Sequence, residues 1–508
     1  MPRKEKYALF FLLFFLALIR LYHLNVPPWE IEESWRQADT ESMAWNFVSY
    51  DPNPLHPNLN YDGPFPNIPA LELQITTYLI AILYKLFGRH YFLARLVPLA
   101  FFLLSAGYLY FLARLYLSPR GAFFSVLLYG TLPLNIYYSR AIMPESAALM
   151  FWIAGLYYFN RWVLVRLKQE AARVESGAAA QVTALKAGVD NSATEGKAEK
   201  TLKFLIFSSV FLALALMTKP PVVFGVIPLF YLLVRSWGLK WLKFPDLWGY
   251  ALATAGLPVL YYFYSISLAE YKFTLGISRD IIWREAGRAF YSPEALSFYL
   301  NSISVTLGVL GFFLLLSSFL TLTGKQAFIL VWFLAMLLEV IFIVSPIRAL
   351  YYLIFFTVPC ALLLGNLLDR VFYKAGGKGL ALFIILAMIL NSFLQVKPMY
   401  SINETMATQV EVVRSVTEVD DLLVVGSLDP CLLSLADRRG WRYNLRLYSF
   451  IPENPYEELA YYLEKGAKYF VPIQGKIYGD ENGELLAYIE KNYQKIEPVK
   501  GYPIYALR

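Results

Sequence analysis

PALELQITTYLIAILYKLF, residues 69–87, decides how the rest of the chain is threaded. The run is apolar, yet Glu72, Gln74 and Lys85 interrupt it, so it reads either as a short membrane span or as an amphipathic helix lying in the interface. Each alternative sends every later loop to the opposite side of the bilayer. The sequence before it fixes the starting point. MPRKEK followed by YALFFLLFFLALIRLYH is a basic cluster and an apolar run without a small-residue cleavage site, which reads as a retained signal anchor. Arg3, Lys4 and Lys6 hold the N-terminus in the cytoplasm, so residues 24–92 emerge as a first outer loop.

The sequence after it supplies the decision. With 69–87 interfacial, 93–112 runs inward to Arg114 and Arg120, 123–137 outward and 147–164 inward. The hydrophilic loop 165–203 then lies in the cytoplasm, with Arg161, Arg166, Lys168, Arg173, Lys186, Lys197, Lys200 and Lys203 in or beside it, as the positive-inside bias requires. A crossing segment would export all of them. Continuing, 205–217 goes out, 222–233 in to Arg235, Lys240 and Lys243, 250–267 out, 299–322 in to Lys325, and 328–344 out. Residues 350–368 come in to Arg370, Lys374 and Lys378, and 380–396 export the tail. The expected fold is a polytopic α-helical membrane protein of about eleven spans over 1–400, with a small extracytoplasmic α/β domain over 401–508.

Composition agrees. Of 508 residues 58% are hydrophobic and 16% charged, with mean hydropathy +0.47, too apolar for a water-soluble chain of this length. The net charge of +7 sits in short loops between apolar runs rather than on a stripe, which excludes nucleic acid as the partner and leaves membrane lipids. Cys360 and Cys431 are too few for a disulfide framework, and His23, His56 and His90 have no ligand-like spacing. In the tail, DLLVVGS and AKYFVPI read as strands, and NPYEELAYYLEKG and GELLAYIEKNY as amphipathic helices, with no phosphate-binding glycine loop. The sequon Asn403-Glu404-Thr405 is short enough to arise by chance.

Four features fall at the outer ends of spans. WEIEESWRQADTESMAWNF carries Glu32, Glu33, Arg36, Asp39 and Glu41 on a helix that Trp35, Met43 and Phe47 would rest on the membrane surface; a solvated interfacial helix has the same spacing. YYSRAIMPESAALMF sets Arg140 and Glu145 on either side of a Met-Pro break, where a snorkelling Arg and a helix-start Glu are the bland alternative. LALMTKPPVVF places Lys219 where the positive-inside bias disfavours it. IVSPIRALYYLIFF places Arg348 at another outer end, followed by Tyr351 and Tyr352, a pairing that interfacial anchoring also explains. Cations from separate spans at one level suit a phosphate leaving group, and a carboxylate there suits a general base on an acceptor hydroxyl.

At these residues the chain resembles the GT-C superfamily of polyprenyl-phosphate-sugar-dependent glycosyltransferases, the group that contains protein O-mannosyltransferases and the lipid A aminoarabinose transferase. WRQADT at 35–40, AWNF, YDGPFPNIPALELQITTYLIAILYKLFG, SRAIMPE, the TKPP step and the stretch 348–359 match family motifs in order. The resemblance implies Asp39 or Glu33 as the first-loop acid, with Asp39 preferred, and Glu145 as a second acid. Arg36, Arg140, Lys219, Arg348 and Tyr351 are implied around the carrier phosphate. It further implies inverting transfer of a sugar from a polyprenyl-phosphate donor to a lipid, glycan or protein acceptor at the outer face of the cytoplasmic membrane. Some relatives hold a metal through a Glu-Lys pair where this chain has Asn67 and Ile68, so a divalent cation is left open and no ligand for it is named. The alternatives are a pyrophosphate-linked glycan ligase or oligosaccharyltransferase, against which the tail carries no WWDYG-like block, and a lipid-sugar transporter, which would carry its charges nearer mid-membrane.

Overall fold

The computed structural model of the chain describes residues 1–183, 192–269, 277–445 and 450–508. Residues 184–191 of the expected cytoplasmic loop and 270–276 of the outer loop 270–293 lie outside that description. Among the described residues eight helices are long and apolar enough to cross a membrane: Tyr91–Ala113, Glu145–Ala172, Thr201–Thr218, Pro220–Lys243, Pro245–Leu268, Gly324–Ile347, Leu350–Phe372 and Gly377–Tyr400. The pair Pro293–Thr306 and Gly308–Thr321, bent by 96°, would make a ninth. Helices Arg3–Leu18 and Pro119–Thr131, which the sequence reading counted among its eleven or so spans, have 16 and 13 residues and fall short of that length. The chain is a multi-pass membrane protein.

Layering follows from which residues face lipid. The window in Leu350–Phe372 is 78% buried and that in Glu145–Ala172 is 72% buried, so these helices are central; Pro245–Leu268, at 17%, is peripheral and turns Leu252, Leu260 and Phe263 outward. Pro119–Thr131 crosses Leu350–Phe372 closely enough that a Cβ at Gly365 would lie 2.1 Å from Ser125 Oγ and 2.8 Å from the Gly121 carbonyl. Small residues at such a crossing let backbones approach where lipid supplies no hydrophobic drive. Local signals start the helices: Ser118 and Ser292 accept from Gly121 N–H and Ala295 N–H, each with proline at the first turn.

The decisive segment forms helix Ile75–Phe87, whose 13 residues rise only about 20 Å, short of the hydrocarbon thickness. Helix Ser34–Ser49, labelled α1, departs from expectation. Rather than resting on the membrane surface, it is buried from Gln37 to Ala44. Met43 packs into a core shared with the C-terminal domain, while Ala44 and Phe47 join the core of the helical bundle. Its polar residues can be buried because each finds a partner.

The C-terminal domain has a five-stranded sheet in the order β2-β1-β3-β5-β4. β1 (Leu422–Val425) pairs in parallel with β2 (Arg439–Arg442) and β3 (Ala467–Val471), and β5 (Ile504–Ala506) runs antiparallel to β3 and to β4 (Gln494–Ile496). Helices Pro455–Glu464 and Glu484–Asn492 lie where the sequence placed amphipathic stretches. The open edge of β2 is taken by the first outer loop: Gly63 N–H donates to the Gly440 carbonyl at 3.0 Å, and Gly440 N–H to the Asn60 carbonyl at 3.2 Å. Arg89 adds an ion pair to Asp437 at 2.7 Å while gripping Glu41 of α1 with two nitrogens.

Candidate functional site

Lys219 precedes Pro220, and proline disfavours helix at the residue before it; Lys219 is extended (φ −150°, ψ 98°) and helix Ser192–Thr218 stops there. Its ammonium lies 2.6 Å from Glu145, the first residue of helix Glu145–Thr183, whose side chain is fully buried. Glu145 is favoured at that position because a helix N-terminus attracts negative charge. A second carboxylate, Glu72, lies 3.9 Å from Lys219 and pairs with Arg36 of α1. Glu72 is held there by backbone: Leu73 N–H donates to the Met217 carbonyl at 2.9 Å, beside Lys219. The rings of Tyr351 and Tyr352 have their centroids 5.3 and 5.1 Å from the Lys219 nitrogen, close enough for a cation–π contribution.

Glu33 closes the cluster. It sits at the start of α1 in the left-handed region (φ 53°), uncommon for a residue with a Cβ. Burial raises its pKa to about 7, helped by the charges of Glu32 and Glu145 and opposed by Arg36 and Lys219. Asp39 lies on another face of α1. It accepts a hydrogen bond from Tyr61 OH at 3.0 Å, and its other oxygen is buried without a hydrogen bond. Burial raises its pKa to about 7 also, against the pull of Arg36 and the Tyr61 hydrogen bond. Arg36 therefore stands between a carboxylate set near Lys219 and Asp39 on the side of the C-terminal domain.

The structure brings Glu33, Arg36, Glu145, Lys219 and Tyr351 together and leaves three expected residues outside, Asp39 and two arginines. Arg140, expected at the carrier phosphate, instead pairs with Glu30, with both side chains fully buried. Arg95 meets the same carboxylate at 3.2 Å and Tyr137 OH donates to it at 3.1 Å. Two buried guanidiniums demand a counter-ion, and Glu30 supplies it. Arg95 is likewise fully buried and donates to Gln37 Oε1 at 2.8 Å. Arg348 ends the turn Ser345–Ile347 in the left-handed region (φ 60°) with its side chain exposed, making no ion pair with this cluster.

Sequence reasoning missed Glu72 as a site residue, although it had marked Glu72 as a charge interrupting an apolar run, and it missed Glu30 altogether. WRQADT now has a physical account. Trp35 faces the C-terminal domain under Arg442, Arg36 enters the site, and Gln37 bonds Arg95 and the Tyr137 hydroxyl. Asp39 takes Tyr61, and the Thr40 hydroxyl bonds the Arg36 carbonyl at 3.0 Å.

The donor set does not suit a metal ion. Glu145, Glu72 and Glu41 each face a cation, and among the described residues no three of His, Cys, Asp or Glu are grouped to hold one.

The sequence profile of the dolichyl-phosphate-mannose-protein mannosyltransferase family matches residues 74–172. No curated protein matches the chain by sequence. Among solved structures, ArnT from Cupriavidus metallidurans bound to undecaprenyl phosphate is similar with TM-score 0.60 and 12% identity, over 98% of this chain and 97% of that one. The oligosaccharyltransferase AglB from Archaeoglobus fulgidus, in complex with an inhibitory peptide and a dolichol-phosphate, is similar with TM-score 0.55 and 14% identity, over 100% of this chain and 75% of that one. The chain shares its fold with both of these structures.

Proposed function

We propose that this GT-C-fold membrane protein is an inverting glycosyltransferase that moves a sugar from a polyprenyl-phosphate carrier to a lipid, glycan or protein hydroxyl at the outer face of the cytoplasmic membrane. The observation that carries the reading is the buried Lys219–Glu145 pair facing Arg36 and Glu72, with Glu33 beside it. In the reaction Glu33 takes the proton of the acceptor hydroxyl as its oxygen attacks the anomeric carbon. The bond from that carbon to the phosphate oxygen breaks, and the polyprenyl phosphate leaves with the electron pair. Lys219 and Arg36 meet the charge that develops on the phosphate. Lys219 can serve both Glu145 and a phosphate because its ammonium has three donors.

Glu33 is preferred to Asp39 as the base, reversing the preference drawn from the sequence. It shares its surroundings with Glu145 and Lys219, whereas Asp39 is only 4% exposed and bonded to Tyr61. An apolar cavity of about 520 Å³ lined by Phe298, Phe312, Phe333, Leu353 and Phe356 offers a groove for the isoprenoid tail. A separate cavity of about 920 Å³ lined by Arg235, Lys325 and Arg370 gathers the basic loops at one place, which supports the cytoplasmic assignment of that end.

A donor panel tests the reading. Purified protein is given monophosphate- and pyrophosphate-linked polyprenyl sugars, and the anomeric configuration of the product is read by NMR. Transfer from the monophosphate with inversion is expected. Transfer only from the pyrophosphate would assign the chain to glycan ligation, and retention would exclude the single displacement.

A further inference from the structure

Arg442 is the last residue of β2 and is 3% exposed. It does not serve its own domain alone. Its Nε and Nη2 donate to the two oxygens of Asp62 in the first outer loop, at 2.9 and 2.6 Å, and its Nη1 holds the Leu428 carbonyl at 3.0 Å. The guanidinium carbon lies 4.8 Å from the centroid of Tyr61 and 5.5 Å from that of Trp35. Tyr61 is the residue whose hydroxyl bonds Asp39, and Trp35 is the neighbour of Arg36 on the first turn of α1. The loop that carries Tyr61 and Asp62 is itself paired to the edge of β2 at Gly440, where a Cβ would lie 1.8 Å from the Leu423 carbonyl oxygen. A bidentate, stacked arginine fixes both direction and distance, which a lysine cannot do.

We propose that the C-terminal domain is a working wall of the transferase site, and that Arg442 is the positioning residue through which it acts, fixing Asp39 by way of Tyr61 so that Arg36 keeps its place beside Glu72 and Lys219. The proposal rests on the functional reading given above. Asp39 is faced by Arg36 on its own helix, by Tyr61 from the outer loop, and by Asp429, Cys431 and Arg442 from the C-terminal domain. Two of the C-terminal groups are charged with opposite sign: Asp429 favours the protonated acid, and Arg442 favours the carboxylate. The ionised carboxylate, three residues along the helix from Arg36, attracts the guanidinium that pairs directly with Glu72. Removing either Arg442 or the Tyr61 hydroxyl raises the pH at which Asp39 ionises, so the form that steadies Arg36 is reached only at higher pH.

Full-length Tyr61→Phe, Arg442→Met and Arg442→Lys are purified in detergent, checked for elution as the wild type, and assayed across about pH 5.5 to 9 with an undecaprenyl-phosphate sugar. The acid limb of kcat is expected to move up by about one pH unit in Tyr61→Phe and Arg442→Met, with Arg442→Lys failing to restore it. Profiles that superimpose on the wild type in variants that elute normally overturn the proposal, because a merely structural role would change the yield of folded protein and not the pH of the limb. If Arg442→Met does not fold, Tyr61→Phe decides alone. If the wild type transfers no sugar, the functional reading has failed instead. Affinity for undecaprenyl phosphate over the same pH range is then the readout, with the same upward shift expected and an unshifted curve overturning the role of Arg442.

Discussion

Replacing Lys219 with methionine leaves Glu145 buried beside an apolar side chain. The pair is closed at 2.6 Å, with the lysine side chain 4% and the glutamate 0% exposed, so water cannot take over the lost partner. Breaking a buried pair by removing one member costs about 3–5 kcal/mol, most of it the penalty of the stranded charge. Glu72 is spared, because Arg36 still meets it once Lys219, at 3.9 Å, is gone. The cost is therefore specific to Glu145, and the double variant Lys219→Met/Glu145→Gln recovers stability to within about 1 kcal/mol of the wild type, since no charge is left unpaired. Activity does not recover, because the cation that meets the leaving phosphate is absent in both proteins, and transfer falls by about 10²- to 10³-fold. Thermal unfolding in detergent, alongside transfer from a polyprenyl-phosphate sugar, reads both effects. A single variant as stable as the wild type, or a double variant that transfers sugar normally, refutes the argument.

Glu33 ionises near pH 7 in the folded protein against an ordinary value of 4.5. The sign is that of a raised carboxyl: its burial is free of cost below about pH 4.5 and opposes folding increasingly as pH rises to about 7, while transfer, which needs the ionised base, falls below about pH 7. Wild-type kcat measured against pH checks the limb, and a rate independent of pH between about 5 and 7 contradicts it. Gly365→Ala drives a Cβ to 2.6 Å from the Ser125 backbone nitrogen as well as onto its hydroxyl, so the crossing helices must separate. A loss of about 1–3 kcal/mol is expected, and an unchanged unfolding midpoint argues against that crossing. Glu339 is fully buried within the span Gly324–Ile347, and neither oxygen has a hydrogen bond among the described residues. Glu339→Met should therefore leave the unfolding midpoint unchanged or raise it, whereas a marked drop would reveal a partner.

Much of this was legible in the sequence because hydrocarbon imposes so strict a grammar. Apolar length marked the central spans, Pro220 announced the break that sets Lys219, and short apolar runs announced β1 and β3. Composition could not show which charge meets which. Glu30 and Arg140 are far apart in sequence, and nothing local distinguishes an arginine that will meet a buried carboxylate from one that will meet a phosphate. The same holds for α1: its polar residues read as solvated, because the partners that make burial tolerable, Arg89 from the connection after helix Ile75–Phe87 and the C-terminal domain, arrive only through the fold. Spacing likewise placed Glu32 and Glu33 near Arg36; Glu33 stays within its reach, while Glu32 takes the Tyr138 hydroxyl and the ion pair of Arg36 goes to Glu72.

The central claim is that sugar leaves a polyprenyl-phosphate carrier at the Lys219–Glu145 end of the bundle. Its most direct test is transfer of a labelled sugar from undecaprenyl phosphate by purified wild type, Glu33→Gln and Glu145→Gln, all eluting as folded protein. The account predicts transfer by the wild type and a loss of about 100-fold or more in both variants. Equal transfer by all three would contradict it.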